Sequence, residues 1–219
     1  MTTYRDEPQT CAICGKLVPC FVLDSTNSFG SPDLDLRPAE MERSTMDAWL
    51  HECPQCRYVN GDLEQSMPNA KTIVESSEYQ QIANDAQIPQ TARKFACFAL
   101  LNADDINTSG IALIRSAWVC DDEGCSDRAV AYRSQAANLL LSMQPPEFDE
   151  HVESLATALV DVLRRALRFS EAKELAETLL SLQTESANET IGVILRYQCR
   201  LCESKDAACY TVADAMASV

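Results

Sequence analysis

Apolar residues recur along this chain with two different periods, and the change falls near Pro68. Before it they come in short runs broken by Ser, Asn, Asp, Gly and Pro. Residues 1–10 are polar and read as loose. Leu17-Val18-Pro19-Cys20-Phe21-Val22-Leu23 reads as one or two short strands. Asp24 to Pro38 reads as a loop, and the polar residues 38–47 leave room for a short helical turn. Ala48-Trp49-Leu50-His51-Glu52 reads as a strand. Tyr58-Val59 continues as its return strand before the turn dipeptide Asn60-Gly61.

From Pro68 the spacing is helical almost to the end. Residues 69–85 form a weakly amphipathic segment with Ile73, Val74 and Ile82. Pro89 suits a helix first turn, and the helix it starts carries Ala92, Phe95, Ala96 and Ala99. Another helix spans about 108–121 with Ile111, Ile114 and Trp118, ended by Gly124. Ser126 can cap the next, which carries Val130, Ala137, Leu140 and Leu141 and stops at Pro145-Pro146. Asp149 is an expected N-cap for a helix with Val152, Leu155, Leu159, Val162, Leu163 and Ala166 on one face. Ala172, Leu175, Ala176 and Leu179 mark the following stripe. Ser186 and Glu189 match a capping box ahead of Ile191, Leu195, Cys199 and Cys202. A short helix over about 207–217 closes the series.

These helices come in pairs joined by short polar turns, which predicts antiparallel hairpins stacked side by side. Arg164-Arg165-Ala166-Leu167-Arg168-Phe169-Ser170-Glu171-Ala172 resembles the hinge of a tetratricopeptide repeat. Ala129, Ala172 and Ala208 then stand at starts of second helices, 43 and 36 residues apart, against a regular period near 34. The ordinary alternative is an irregular helical bundle. The expected fold class is mainly α, with tetratricopeptide-like stacked helical hairpins preceded by a small β zinc ribbon. The expected division is a zinc-ribbon-like module over 1–67 and a helical domain over 68–219.

Composition narrows the chemistry. The chain has 219 residues, 11 of them cysteine. No apolar run approaches the ~20 residues of a membrane span. Met1 to Glu7 lack the apolar stretch of a secretory signal, so the expected location is the cytoplasm. In a reducing compartment spaced cysteine pairs more often bind metal than form disulfides. The formal net charge is −15, and the first 60 residues are also acidic, with nine Asp/Glu against five Lys/Arg. A surface that tracks phosphates needs clustered positive charge, so nucleic-acid binding is disfavoured and a basic or neutral protein partner is favoured.

Two pairs carry the strongest signal: Cys11-Ala12-Ile13-Cys14 and Cys53-Pro54-Gln55-Cys56. A C-x-x-C turn aims two thiolates at one ion, and two such turns supply the tetrahedral sulfur shell that zinc prefers. Cys11, Cys14, Cys53 and Cys56 are the expected ligands of one structural Zn2+. Four thiolates leave no open position, which argues against a catalytic metal. A thioredoxin-like redox role needs a βαβ setting that is absent here. His51 is read as a partly exposed strand residue rather than a ligand, and Cys20 as a small buried hydrophobe. Cys97, Cys120, Cys125, Cys199, Cys202 and Cys209 are read as core, and His151 as solvent-facing. Asp33, Asp35 and Arg37, alternating on an extended loop, are read as a polar connection over the ribbon, with Arg37 in a surface ion pair worth little. No common nucleotide-binding, metalloprotease or hydrolase motif is present.

The segment Phe29–Pro38, Arg43-Ser44-Thr45-Met46 leading to Trp49, and the two cysteine pairs resemble a family of uncharacterised bacterial proteins defined only as a domain of unknown function. Ala117-Trp118 and Phe169–Ala172 extend the resemblance into the helices. It implies a zinc ribbon joined to tetratricopeptide-like helices and no established activity. The family pattern places glycine after the fourth cysteine, where this chain has Arg57. The expected function is a non-catalytic zinc-binding protein with a helical surface for a protein or peptide partner. The alternatives are an enzyme with its site between ribbon and helices, using carboxylates such as Asp33 and Asp35, and a zinc-ribbon nucleic-acid binder.

Overall fold

The computed structural model describes residues 1–143, 150–182 and 189–219. The expected stop at Pro145-Pro146, the N-cap Asp149, the capping box of Ser186 and Glu189, and the side chains of His151 and Val152 lie outside the described residues.

The N-terminal part is built of three antiparallel strand pairs. Strand β1 (Thr3–Thr10) pairs with β2 (Leu17–Ser25), with Thr10 opposite Leu17 and Gln9 opposite Val18. Residues 1–10 are therefore ordered, against the sequence expectation. The strand was hidden because its inward positions are polar. Gln9 is buried, and its side-chain Oε1 accepts the Leu63 N–H at 3.0 Å. The short strands β3 (Ser28–Phe29) and β4 (Glu40–Met41) pair across the expected loop. A 3-10 helix, Arg43–Ala48, follows. Strands β5 (His51–Glu52) and β6 (Val59–Asn60) flank the second cysteine pair.

The helical part starts with two short helices, α1 (Ala70–Val74) and α2 (Ser77–Ala83), where one segment is expected. The break has a local cause: the Ser76 hydroxyl accepts the Tyr79 N–H at 3.2 Å and starts a new helix. Helix α3 (Gln90–Leu101) begins directly after Pro89, and α4 (Ile106–Asp122) is capped by the Asp105 carboxylate. Ser126 is the first residue of α5 (Ser126–Leu141) rather than its cap, since the cap position belongs to Cys125. Helices α6 (Glu150–Arg165), α7 (Phe169–Leu182), α8 (Glu189–Glu203) and α9 (Val212–Met216) complete the chain.

Each helix from α3 onward packs on the next, and α6 also packs on α8. Helices α4 and α5 approach closely at Gly110, where an added Cβ would lie 2.8 Å from Leu140. One continuous hydrophobic cluster runs from Cys11 and Val18 through Tyr58, Phe95 and Trp118 to Leu195 and Cys202. Ala129 and Ala172 are buried as expected. Ala208 is exposed and lies in a non-helical segment, which removes the third alanine from the repeat pattern. Val130 is half-buried and Leu141 exposed, so the α5 stripe is narrower than its spacing suggests. Among the described residues no helix is long and apolar enough to cross a membrane.

Candidate metal centre

The two C-x-x-C turns fold alike. In the first, Gly15 N–H donates to the Cys11 carbonyl at 2.8 Å and Cys11 N–H to the Lys16 carbonyl at 2.9 Å. In the second, Arg57 N–H donates to the Cys53 carbonyl at 2.9 Å and Cys53 N–H to the Tyr58 carbonyl at 2.8 Å. The residue after each pair takes a left-handed conformation, φ +74° at Gly15 and +69° at Arg57. Glycine adopts this without penalty, whereas a side chain costs about 1–2 kcal/mol. Arg57 is held by contacts glycine cannot make: its guanidinium pairs with Glu52 at 3.0 Å and donates to the Ala83 carbonyl at 2.5 Å. Tyr79 donates from its hydroxyl to the Arg57 carbonyl at 2.8 Å. The second turn is thereby tied to α2.

The four Sγ atoms of Cys11, Cys14, Cys53 and Cys56 lie within 4.8 Å of one another. Across the turns Cys11 is 3.6 Å from Cys56 and Cys14 is 3.5 Å from Cys53. A disulfide needs about 2.05 Å, and all four cysteines are free. A tetrahedral ion with metal–sulfur bonds of about 2.3 Å sets its sulfurs roughly 3.8 Å apart, so the cage has the dimensions of a four-thiolate site. Cys11 and Cys53 are sealed, while Cys14 and Cys56 are half-buried.

The electrostatics fit the same conclusion. Burial pushes the Cys11 and Cys56 thiols above their ordinary range. Burial acts the same way on Cys14, but the Lys16 N–H and the neighbouring thiols outweigh it and bring that group below the ordinary value. Four thiolates in so small a volume repel one another, and a bound dication is what lets all four ionise together. The group can hold a metal ion, and the residues present fit one.

The remaining cysteines divide. Cys20, Cys97, Cys120 and Cys202 are buried, as expected. Burial raises the thiols of Cys97, Cys120 and Cys202 to about 12, about 11 and about 11, which keeps them protonated and unreactive. Cys125 and Cys199 are half-buried, and Cys209 is exposed rather than core. The Cys209 thiol donates to Asp33 Oδ2 at 3.3 Å. His51 is buried at 9% exposure, not partly exposed, and it lies outside the sulfur cage.

The Asp33–Arg37 loop departs most from its reading. It does not lie on the surface over the ribbon. Asp33, Asp35 and Arg37 are all at least 95% buried, and the loop is laid on the helices. Leu34 packs on Ile194 of α8 and Ala215 of α9. Its N–H donates to the Tyr210 carbonyl, and Val212 N–H donates to that of Pro32, both at 2.9 Å. Asp35 Oδ2 accepts from Trp118 Nε1 at 2.8 Å and from Arg165 Nη1 at 3.0 Å, with Arg133 at 3.5 Å. Asp121 accepts from Arg133 at 2.5 Å and from Arg165 at 2.6 Å. Arg37 grips Asp122 with both terminal nitrogens, and Arg43 meets Asp33 at 2.6 Å. Burial disfavours the Arg165 cation, but Asp35, Asp161 and Asp121 more than offset it and hold its pKa above the ordinary value. The sequence signal was the alternation of Asp33, Asp35 and Arg37 itself; its partners on α4, α5 and α6 carry no motif.

No family model, curated protein or solved structure matches this chain. The four-cysteine cluster and the mainly helical body agree with the resemblance drawn from the sequence.

Proposed function

We propose that this chain is a non-catalytic structural-zinc protein whose helical part presents a surface to a protein partner. The observation that carries the first half is the closed cage of four cysteine sulfurs within 4.8 Å. Four soft thiolates in a tetrahedral arrangement suit zinc, and they leave no coordination position for substrate or water. The metal joins two turns 39 or more residues apart. On this reading residues 1–67 form a zinc-ribbon-like module seated on a tetratricopeptide-like domain, 68–219.

The partner surface is narrower than a free helical groove. The chain's own Asp33–Arg37 loop already covers residues of α4, α5, α6, α8 and α9. An apolar hollow of about 380 Å³ stays open between α2, α3, α4 and α5, lined by Ile82, Ala99, Leu100, Leu113 and Leu139, with Glu78 at its side. Tyr132 lines the same hollow. The net charge of −15 and Glu78 favour a basic amphipathic segment as occupant.

Metal analysis of the purified chain tests the first half, with about one zinc per chain expected. Protein that folds with no bound metal, or with less than about a tenth of an equivalent, would sink it. Anisotropy with a labelled Leu/Lys amphipathic helical peptide tests the second. Leu113→Arg is expected to abolish binding; equal binding by this variant would remove the hollow from consideration.

A further inference from the structure

A second pocket, of about 260 Å³, opens where the ribbon meets the helices, between β2, the 3-10 helix, β5, the second cysteine turn and α3. Two polar side chains of its lining are more than nine-tenths buried, Lys94 and His51. An ammonium group has three N–H donors and no acceptor. Lys94 uses two of them on the Asp47 and Leu50 carbonyls, at 2.5 and 2.7 Å. Among the described residues no carboxylate lies within ion-pair distance of it. Of the two acids in the wall, Asp47 and Glu52, the second is turned to Arg57 at 3.0 Å. Asp47 offers Lys94 its carbonyl, while its side chain is exposed. The His51 ring has no hydrogen bond among the described residues and lines the same pocket.

A buried cation whose direct partners are carbonyl dipoles, with the Asp47 and Glu52 carboxylates beyond ion-pair distance and an imidazole with unused ring nitrogens beside it, has a place for an anion. The rest of the wall sets the kind. Val18, Phe21 and Leu50 are apolar, so a ligand that brings hydrocarbon to them gains burial. Of the two cations in the wall Arg57 is already paired with Glu52, and Asp47 adds a further carboxylate, so the remaining Lys94 charge accommodates a single negative charge and resists two. The volume sits at the small end of ligand sites. We propose that this pocket binds a small organic monocarboxylic acid, its carboxylate on Lys94 and His51 and its hydrocarbon against Val18, Phe21 and Leu50.

The pocket shares the second cysteine turn with the sulfur cage but none of its four thiols, so zinc content and ligand binding are read separately. The experiment titrates zinc-loaded, full-length protein with benzoate, butyrate, succinate and inorganic phosphate, by calorimetry and by amide chemical shifts. Zinc content and circular dichroism are followed on the same samples. Saturable binding of benzoate or butyrate is expected, with succinate and phosphate at least tenfold weaker. Lys94→Gln and His51→Gln are each expected to weaken benzoate by about tenfold or more, as for loss of a charge-assisted hydrogen bond. Lys94 also holds the end of the 3-10 helix, so its loss can disturb folding. Gln90→Trp, at an exposed position on the rim, therefore serves as a second variant that closes the mouth, and it too is expected to abolish binding. The proposal is overturned if neither monocarboxylate saturates below about 10 mM, if phosphate binds as well as benzoate, or if Gln90→Trp binds like the unaltered chain.

Discussion

The thiols of Cys11, Cys14, Cys53 and Cys56 and the carboxylates of Asp35 and Asp121 are both gathered where the chain folds back on itself, yet they are neutralised differently. Asp35 and Asp121 share Arg133 and Arg165, so the chain carries its own counter-charges. The thiols face one another and backbone N–H groups, and among the described residues no side-chain cation pairs with them. On the proposed function, folding of the first cluster is linked to a metal from outside, whereas the second carries its counter-charges within the chain. Both do the same work in the architecture. One brings the two cysteine turns together, and the other fastens the Asp33–Arg37 loop to α4, α5 and α6.

The comparison breaks most visibly at the metal. A structural zinc contributes an apparent 10–16 kcal/mol in small modules, about as much as a whole domain's stability of 5–15 kcal/mol. Cys53→Ser is therefore expected to lose bound metal and to unfold β1, β2 and both cysteine turns, seen as loss of amide-exchange protection there. Undiminished protection in the variant would show that the thiols, like the carboxylates, need nothing from outside. The next largest effect is at Asp35. Removing one member of a buried ion cluster strands the others and costs about 3–5 kcal/mol. Asp35→Ala should lower stability by that amount in urea unfolding while metal content stays at one equivalent. A loss under about 1 kcal/mol would mean that Arg133 and Arg165 are satisfied by Asp121 alone.

The same contrast decides what was legible in the sequence. A C-x-x-C turn needs four adjacent residues, so Cys11, Cys14, Cys53 and Cys56 announce themselves, and the cage lies where spacing put it. Helical spacing was equally local, and the stripes Leu159–Ala166 and Ala172–Leu179 became buried faces of α6 and α7. Asp35 meets Trp118, Arg133 and Arg165 across 83 to 130 residues, and no local pattern foretells that. Asp and Arg are charged residues that usually face water, so the loop read as surface. Lys94 and His51 escaped for the same reason, since burial of a polar group is a property of what packs around it. Strand β1 escaped because period-two burial is hard to see when the inward residues are Glu7 and Gln9.

A smaller effect separates the two cysteine turns themselves. Nothing lies within 4 Å of a Cβ built at Gly15, so Gly15→Ala meets only the left-handed backbone cost, about 1–2 kcal/mol. Arg57→Gly relieves that cost but gives up the Glu52 ion pair and the bond to Ala83, so its net change should stay within about 1 kcal/mol. Thermal unfolding of both variants with metal bound would show the difference. A Gly15→Ala variant as stable as the unaltered chain would mean that the first turn does not need its left-handed residue.

The smallest effect belongs to an ion pair of the opposite kind, on the surface. Arg168 holds Glu171 with 2.8 and 2.5 Å contacts at the start of α7, but half of the Glu171 side chain is exposed. The hydrogen bond from Arg168 lowers the Glu171 pKa. A lowered carboxyl contributes stability above the ordinary glutamate range, near 4.3, and loses it as pH falls through the folded-state value. Solvent screens such a pair, so Glu171→Gln should cost no more than about 0.5 kcal/mol at neutral pH. The cost should shrink further in high salt and vanish at acid pH. Matched urea titrations of this variant and Asp35→Ala put the two classes on one scale. A Glu171→Gln loss as large as the Asp35→Ala loss would show that burial is not what makes the Asp35 cluster costly to break.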